Sequence, residues 1–196
     1  MHLVLDIFQG LGIALAVGIR PFLPALAVGA LAAGDIQIDF QHTDFSFLES
    51  APFLLAVLLA AVAVALIDRR VVSGSGPGGA FALALAAAGL AMGALQFAGA
   101  LAQDRYTDWP GLVAGALCAA IGIAATRPLL SRVGAQLDHE SASALPLFAE
   151  GTGVLVAVVS VLLPPTGLVA LLLMGWLLLA GRRRDQQKYA GLRILR

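Results

Sequence analysis

The sequence contains six apolar segments; five are about as long as a helix that crosses a bilayer, and the first is longer. A transmembrane helix takes about 20 predominantly apolar residues, so such runs constrain the fold strongly. The composition agrees, because 60% of the 196 residues are hydrophobic and only 12% are charged. The sequence therefore predicts an all-α polytopic membrane bundle of about six helices. The segments are Leu3–Ala33, Ala51–Ile67, Ala80–Ala102, Pro110–Arg127, Ala144–Leu163 and Thr166–Gly181.

The connections between these segments differ in charge. Residues 34–50 contain four acidic side chains and no Lys or Arg, whereas residues 182–196 contain six Lys or Arg and one Asp. Cytoplasmic loops of membrane proteins carry an excess of Lys and Arg. We therefore predict one transmembrane domain, 1–181, in the inner (plasma) membrane with both termini cytoplasmic. The basic cytoplasmic tail, 182–196, would attract anionic lipid headgroups.

Several functional classes find no support in the sequence. The formal net charge is zero, which argues against a nucleic-acid partner. One cysteine and three scattered histidines predict neither a disulfide framework nor a metal site. No metalloprotease, serine-hydrolase or paired-carboxylate motif is present. We therefore predict no enzymatic activity and no cofactor, and we rank an intramembrane enzyme acting on lipid as the weakest functional hypothesis.

The first segment contains an arginine and two prolines, in AVGIRPFLPALAVG at 16–29. Proline removes a helical hydrogen bond, and it disfavours helical geometry in the residue before it. We therefore predict that the first helix is broken at Arg20–Pro21, or sharply bent between Gly18 and Pro24, and so forms two half-helices. An arginine at such depth usually faces the bundle interior and has a partner. Arg20 would contact an anionic substrate, form a buried ion pair that holds helices together, or extend its guanidinium to the membrane interface.

Two further polar residues lie inside apolar segments. Glu150, in LPLFAEGTGVLV, is the predicted acidic partner of Arg20. An intramembrane carboxylate can carry protons, can form a plain ion pair with Arg20 or Arg127, or can lie near the interface. Gln96 is a weaker candidate for a polar contact in the interior.

The Arg-Pro pair recurs at Arg127–Pro128, at the end of the fourth segment. Both pairs close a run rich in Gly and Ala, so the first three helices could correspond to the last three. Three helices per half would give the halves opposite orientations. A 3+3 inverted repeat of this kind is a hallmark of many transporter folds.

Three stretches carry a resemblance to a known family: GLGIALAVGIRPFLPALAVG, DFSFLESAPFLLAVL and KYAGLRILR. Together they resemble the domain of unknown function 4126 family of bacterial integral membrane proteins. The resemblance implies a polytopic membrane protein and supplies no catalytic or binding residue.

The favoured functional hypothesis is a small transporter or channel-like protein for a small solute, anionic if the arginines contact it. The alternative is a non-transporting membrane protein that binds lipid or anchors a partner complex. Either protein could form a homo-oligomer. The predicted pathway residues are Arg20, Pro21, Pro24, Arg127, Glu150 and Gln96.

Overall fold

A computed structural model describes residues 2–70, 79–103, 107–137 and 139–192. Over these ranges the chain forms seven α-helices and one short 3-10 helix and contains no strand, which confirms the all-α class. The helices are α1 (His2–Ile19), α2 (Phe22–Ala33), α3 (Ala51–Arg70), α4 (Gly79–Ala102), α5 (Trp109–Gly134), α6 (His139–Leu162) and α7 (Pro165–Leu192), with the 3-10 helix at Ser46–Glu49.

Four of the described helices are long and apolar enough to cross a membrane, namely α3, α4, α5 and α6. The apolar parts of the other helices are shorter, at Leu3–Ile19, Phe22–Ala33 and Pro165–Gly181. Large apolar side chains cover the outside of the bundle, for example Leu59 on α3 and Trp176 on α7. A surface of this kind suits lipid rather than water, which agrees with the predicted membrane class.

The first apolar segment folds as a helical hairpin. Only Arg20 and Pro21 separate α1 from α2, so the predicted break is confirmed. The carbonyl of Ala16 and the ring of Pro24 both lie against Gly153 of α6, so the two helices run side by side in opposite directions. We predicted two half-helices of a single pass, and this prediction is corrected: α2 turns back along α1.

Proline chemistry explains where the second helix of the hairpin begins. Pro21 has φ −75° and ψ −36°, close to the values that its ring favours. Pro24 occupies the first turn of α2, where a backbone N–H has no helical partner to lose. Both prolines therefore suit a helix start, and neither interrupts a helix that is already formed.

Helix α1 lies at the centre of the bundle and contacts α4, α5, α6 and α7. Residues 13–17 are fully buried. Glycines allow this close approach, because a Cβ at Gly18 would clash with the backbone of Ala119 on α5. Small residues at helix interfaces permit the same kind of packing in other membrane proteins.

Glycine contacts also give the directions of the helices. Gly10 of α1 lies beside Phe97 of α4, and Val17 of α1 lies beside Gly89 of α4, so the two helices are antiparallel. Helices α4 and α5 are antiparallel as well, and α1 and α5 consequently run in the same direction. An inverted repeat would require these two helices to run in opposite directions. The predicted inverted relation is therefore not found between the two Arg-Pro helices.

The start of α1 lies at the same end of the bundle as residues 34–50. The amide of Gln9 donates to the carbonyl of Gln37 at 3.3 Å, and the amide of Gln103 donates to Asp6 at 3.1 Å. We call this the acidic end. The opposite end, which holds the Arg20 turn, is called the arginine end.

Helix α7 begins near the acidic end, where Gly167 lies beside Phe8. It reaches the arginine end at Gly181, which borders a cavity with Pro128 and Arg132. The start of α1 and the end of α7 therefore lie at opposite ends. Our prediction of both termini on one side does not agree with this arrangement, because the hairpin adds a reversal of direction.

The predicted tail does not begin as a separate region. Helix α7 continues through it to Leu192, and residues 193–196 lie outside the described part of the chain.

Side chains of the connection 34–50 close the acidic end. Phe40 and Leu48 are fully buried and pack in one cluster with Ala98 and Ala100 of α4. The connection turns tightly, and Asp35, Gln37 and His42 have positive φ values. Apolar side chains thus fill the interior of the bundle at this end, whereas the Arg20 turn lies at the other end.

Candidate functional site

Arg20 lies at the tip of the hairpin and is buried inside the bundle. Its Nη1 is 2.7 Å from Oδ2 of Asp68, near the end of α3. Its Nε is 3.9 Å from Oε1 of Glu150, in the middle of α6. The three side chains are between 11% and 18% exposed. One guanidinium thus joins carboxylates from two other helices, and we call this group the Arg20 triad.

The predicted pair of Arg20 and Glu150 is present, but Asp68 is the closer partner. Sequence reasoning assigned Asp68 to the connection after the second segment, because it follows the last apolar residue of that run. The signal for its role is its position at the end of a candidate span, Ala51–Asp68. The hairpin turn lies at the same level and brings Arg20 to that boundary.

The triad has more acceptor capacity than Arg20 satisfies. When both carboxylates are ionised, the triad carries one excess negative charge. Oε2 of Glu150 is buried and has no hydrogen-bond partner among the described residues. A buried charged oxygen without a donor is unfavourable, so Glu150 is the member of the triad that is available for a further ligand.

A partly open cavity of about 290 Å³ lies on one side of the triad. Arg127 also borders this cavity, and its Nη2 donates to the carbonyl of Ala82 on α4 at 2.6 Å. We call it the arginine cavity. Its lining residues are Gly18, Ile19, Arg20, Pro21, Asp68, Phe81, Ala82, Leu85, Ala86, Ile123, Thr126, Arg127 and Leu130.

A second cavity of about 190 Å³ also borders the triad, between α2, α3 and α6. Both Asp68 and Glu150 border it, and the remainder of its lining is apolar. It adjoins an apolar groove along α6, since Leu23, Leu147 and Glu150 line both. We call the two together the lateral groove. Its further lining residues are Ala61, Ala65, Ala144, Pro146, Gly151, Val154, Leu155, Val158 and Val159.

Four of the six predicted residues border one of these two cavities, and the other two do not. Arg20, Pro21 and Arg127 border the arginine cavity, and Glu150 borders the lateral groove. The other two do not line either cavity. Pro24 is buried against Gly153 of α6, and Gln96 donates to the carbonyl of Ala25 at 3.3 Å.

Gln96 and Pro24 therefore contact the hairpin without bordering a cavity. Gln96 holds α2 against α4, and Pro24 holds it against α6. Among the residues that the structure describes, no three His, Cys, Asp or Glu side chains come together as ligands for a metal ion.

Comparisons with protein-family models, with curated proteins and with solved structures gave no match. The chemistry of the Arg20 triad and its two cavities therefore rests on the chain's own residues.

Proposed function

We propose that this protein is a small secondary transporter whose solute binds in the arginine cavity. The observation that carries the proposal is the Arg20 triad, a network of ionisable side chains beside a cavity within the apolar bundle. Charged groups within membrane spans typically mark substrate or ion pathways. A non-helical turn at membrane depth is likewise tolerated where it lines a cavity or is buried in protein.

The packing favours a transporter over an open channel. The middle of α1 is fully buried, and aromatic and aliphatic side chains fill the acidic end. A solute in the arginine cavity would therefore need a conformational change to leave toward the acidic end. Alternating access around a fixed site is how secondary transporters provide this change.

The cavity also bears on the class of solute. At about 290 Å³ it lies near the lower limit of typical ligand sites, about 300 Å³. Arg20 and Arg127 both border it, and Arg20 is already paired with carboxylates. Arg127 is exposed and makes one hydrogen bond to a backbone carbonyl, so it is the side chain that would attract a small anion.

We further propose that the arginine end faces the cytoplasm. Arg127 and Arg132 lie at this end, and the sequence after Gly181 is rich in Lys and Arg, whereas 34–50 has none. The start of α1 would then face the opposite side, which the positive-inside rule permits because no Lys or Arg precedes Arg20.

We also propose that the chain belongs to the domain of unknown function 4126 family. The proposal rests on the resemblance of GLGIALAVGIRPFLPALAVG, DFSFLESAPFLLAVL and KYAGLRILR to that family.

The alternative is a non-transporting protein that binds lipid, and the lateral groove favours it. The two functions differ in whether a water-soluble reagent can reach residue 126 from both sides of the membrane. Thr126 borders the arginine cavity and is buried. The variant Thr126→Cys, in a Cys118→Ala background, gives a single thiol at this site with little change in shape.

A membrane-impermeant maleimide is then applied to sealed vesicles of each orientation. An alternating-access transporter exposes Cys at 126 to both sides in turn, so the thiol should react from either side. Exposed controls at each end, Ser131→Cys and Asp44→Cys, should each react from one side only. Reaction of the 126 thiol from the arginine side alone would reject the transporter and favour the lipid-binding protein.

A further inference from the structure

We propose that the lateral groove binds a single-chain amphiphile whose head is a cationic amine, with that head at Glu150 and Asp68. The arginine cavity and the lateral groove have only Asp68 in common among their lining residues. The amphiphile site therefore adjoins the proposed solute site without coinciding with it, and its test requires no transport.

Charge selects the head group. Two carboxylates face one guanidinium, and Oε2 of Glu150 is buried without a hydrogen-bond donor from any residue that the structure describes. An ammonium supplies both the missing donor and the compensating charge. A carboxylate or phosphate head would instead place a further acidic group beside Asp68 and Glu150.

The walls of the groove select the tail. Beyond Glu150 the groove follows Val154, Leu155, Val158 and Val159 along α6 and contains no further charged side chain. From Glu150 to Val159 this path covers about 13 Å at the helical rise of about 1.5 Å per residue. Its cavity of about 630 Å³ is large enough for an alkyl chain.

The groove crosses the middle of the α6 span. The span begins at Ala144 and ends at Leu162, so Glu150 lies about 9 Å inside it from the arginine end. The tail positions continue past the middle of the span toward the acidic end. A molecule bound here would thus place its head at the triad and its chain along the apolar side of α6.

The test uses dodecylamine carrying a diazirine in its chain, with the matched alcohol and carboxylic acid. The full chain is reconstituted in phosphatidylcholine nanodiscs and irradiated. Labelling of the α6 peptide that contains 154–159 is divided by labelling of the lipid-facing α5 peptide around Val113 and Leu117. This ratio removes differences in partitioning between the three probes.

We expect the amine to give a ratio about tenfold above that of the alcohol, which corresponds to about 1.4 kcal/mol. Glu150→Gln should lower the amine to the value of the alcohol. Gly151→Leu keeps the triad but fills the groove, since a Cβ at Gly151 meets only open space. It should lower the ratio for every probe, whereas Gly175→Leu, at an equally open glycine of α7, should not.

Equal ratios for amine and alcohol in wild type would overturn the proposal, because the groove would then accept any alkyl chain. A higher ratio for the carboxylic acid would do the same. Crosslinking of the groove to a second copy of the chain would show that a subunit covers it. If Glu150→Gln does not fold, the proposal is still tested by two other results. These are the comparison of Gly151→Leu with Gly175→Leu and the ratios of the three probes in wild type.

Discussion

The two Arg-Pro pairs of this chain have the same sequence and different structures. Arg20–Pro21 separates α1 from α2, whereas Arg127–Pro128 lies within the continuous helix α5. A proline within a helix costs one hydrogen bond and crowds the preceding turn. The dipeptide alone therefore does not decide whether a helix ends.

The surroundings of each pair explain the difference. After Pro21 the chain begins a new helix, with Pro24 in its first turn. The ring of Pro24 packs against Gly153 of α6, which has no side chain to clash with it. Because Pro128 has no N–H, the carbonyl of Ala124 lacks its helical donor. Ala124 borders a cavity of about 150 Å³ between α5 and α7. Helix α5 therefore tolerates the missing bond and continues to Gly134.

The arginines differ as strongly as the prolines. Arg20 is buried and contacts two carboxylates, whereas Arg127 is exposed and donates to a backbone carbonyl. Breaking a buried ion pair leaves an uncompensated charge, while an exposed interaction contributes little. The comparison therefore predicts unequal costs for equal substitutions.

The largest expected effect is that of Arg20→Ala. It leaves Asp68 and Glu150 facing each other without a cation and should lower the free energy of unfolding by about 3 kcal/mol. The matched change Arg127→Ala should cost less than about 1 kcal/mol. Reversible unfolding by dodecyl sulfate in mixed micelles measures both. Equal costs for the two variants would contradict the distinction between a buried and an exposed arginine.

A smaller effect separates the two carboxylates. The 2.7 Å contact to Asp68 and the 3.9 Å contact to Glu150 predict unequal coupling to Arg20. Double-mutant cycles with Arg20→Ala should give about 2 kcal/mol for Asp68→Asn and less than about 1 kcal/mol for Glu150→Gln. A stronger coupling to Glu150 would show that Asp68 is not the principal partner.

Much of this fold follows from apolar length and from proline. All six apolar segments are helical in the described residues, and the break at Arg20–Pro21 lies where proline chemistry places it. The hairpin could not be predicted in this way, because two helices that follow each other in line and two that fold back have the same apolar pattern. The charge rule did not reveal it either, since no Lys or Arg precedes Arg20.

The candidate site was predictable only in part, for a related reason. Arg20 and Glu150 stand out as charges within apolar runs, and the structure brings them together. Asp68 lies at the boundary of a span, where a charge is ordinary, so composition does not single it out. Gln96 and Pro24 stand out equally well, but they hold α2 in place and do not border a cavity. A position well inside an apolar run thus indicates that the residue is buried. Which of these residues border the same cavity depends on how the helices turn, and the run does not show this.

The smallest expected effects compare the prolines themselves, and they should have opposite signs. Pro21 has the φ that its ring favours, so Pro21→Ala should cost about 0.5 kcal/mol by freeing the unfolded chain. Pro128→Ala frees the unfolded chain equally, but it also lets α5 form the missing bond to Ala124, worth about 1 kcal/mol. Its net effect should be neutral or slightly stabilising. Pro110→Ala, at the start of α5 where no helical bond is missing, is the control and should behave like Pro21→Ala. A loss for Pro128→Ala larger than that for Pro21→Ala would mean that α5 depends on its proline, and that the two Arg-Pro pairs are more alike than their structures indicate.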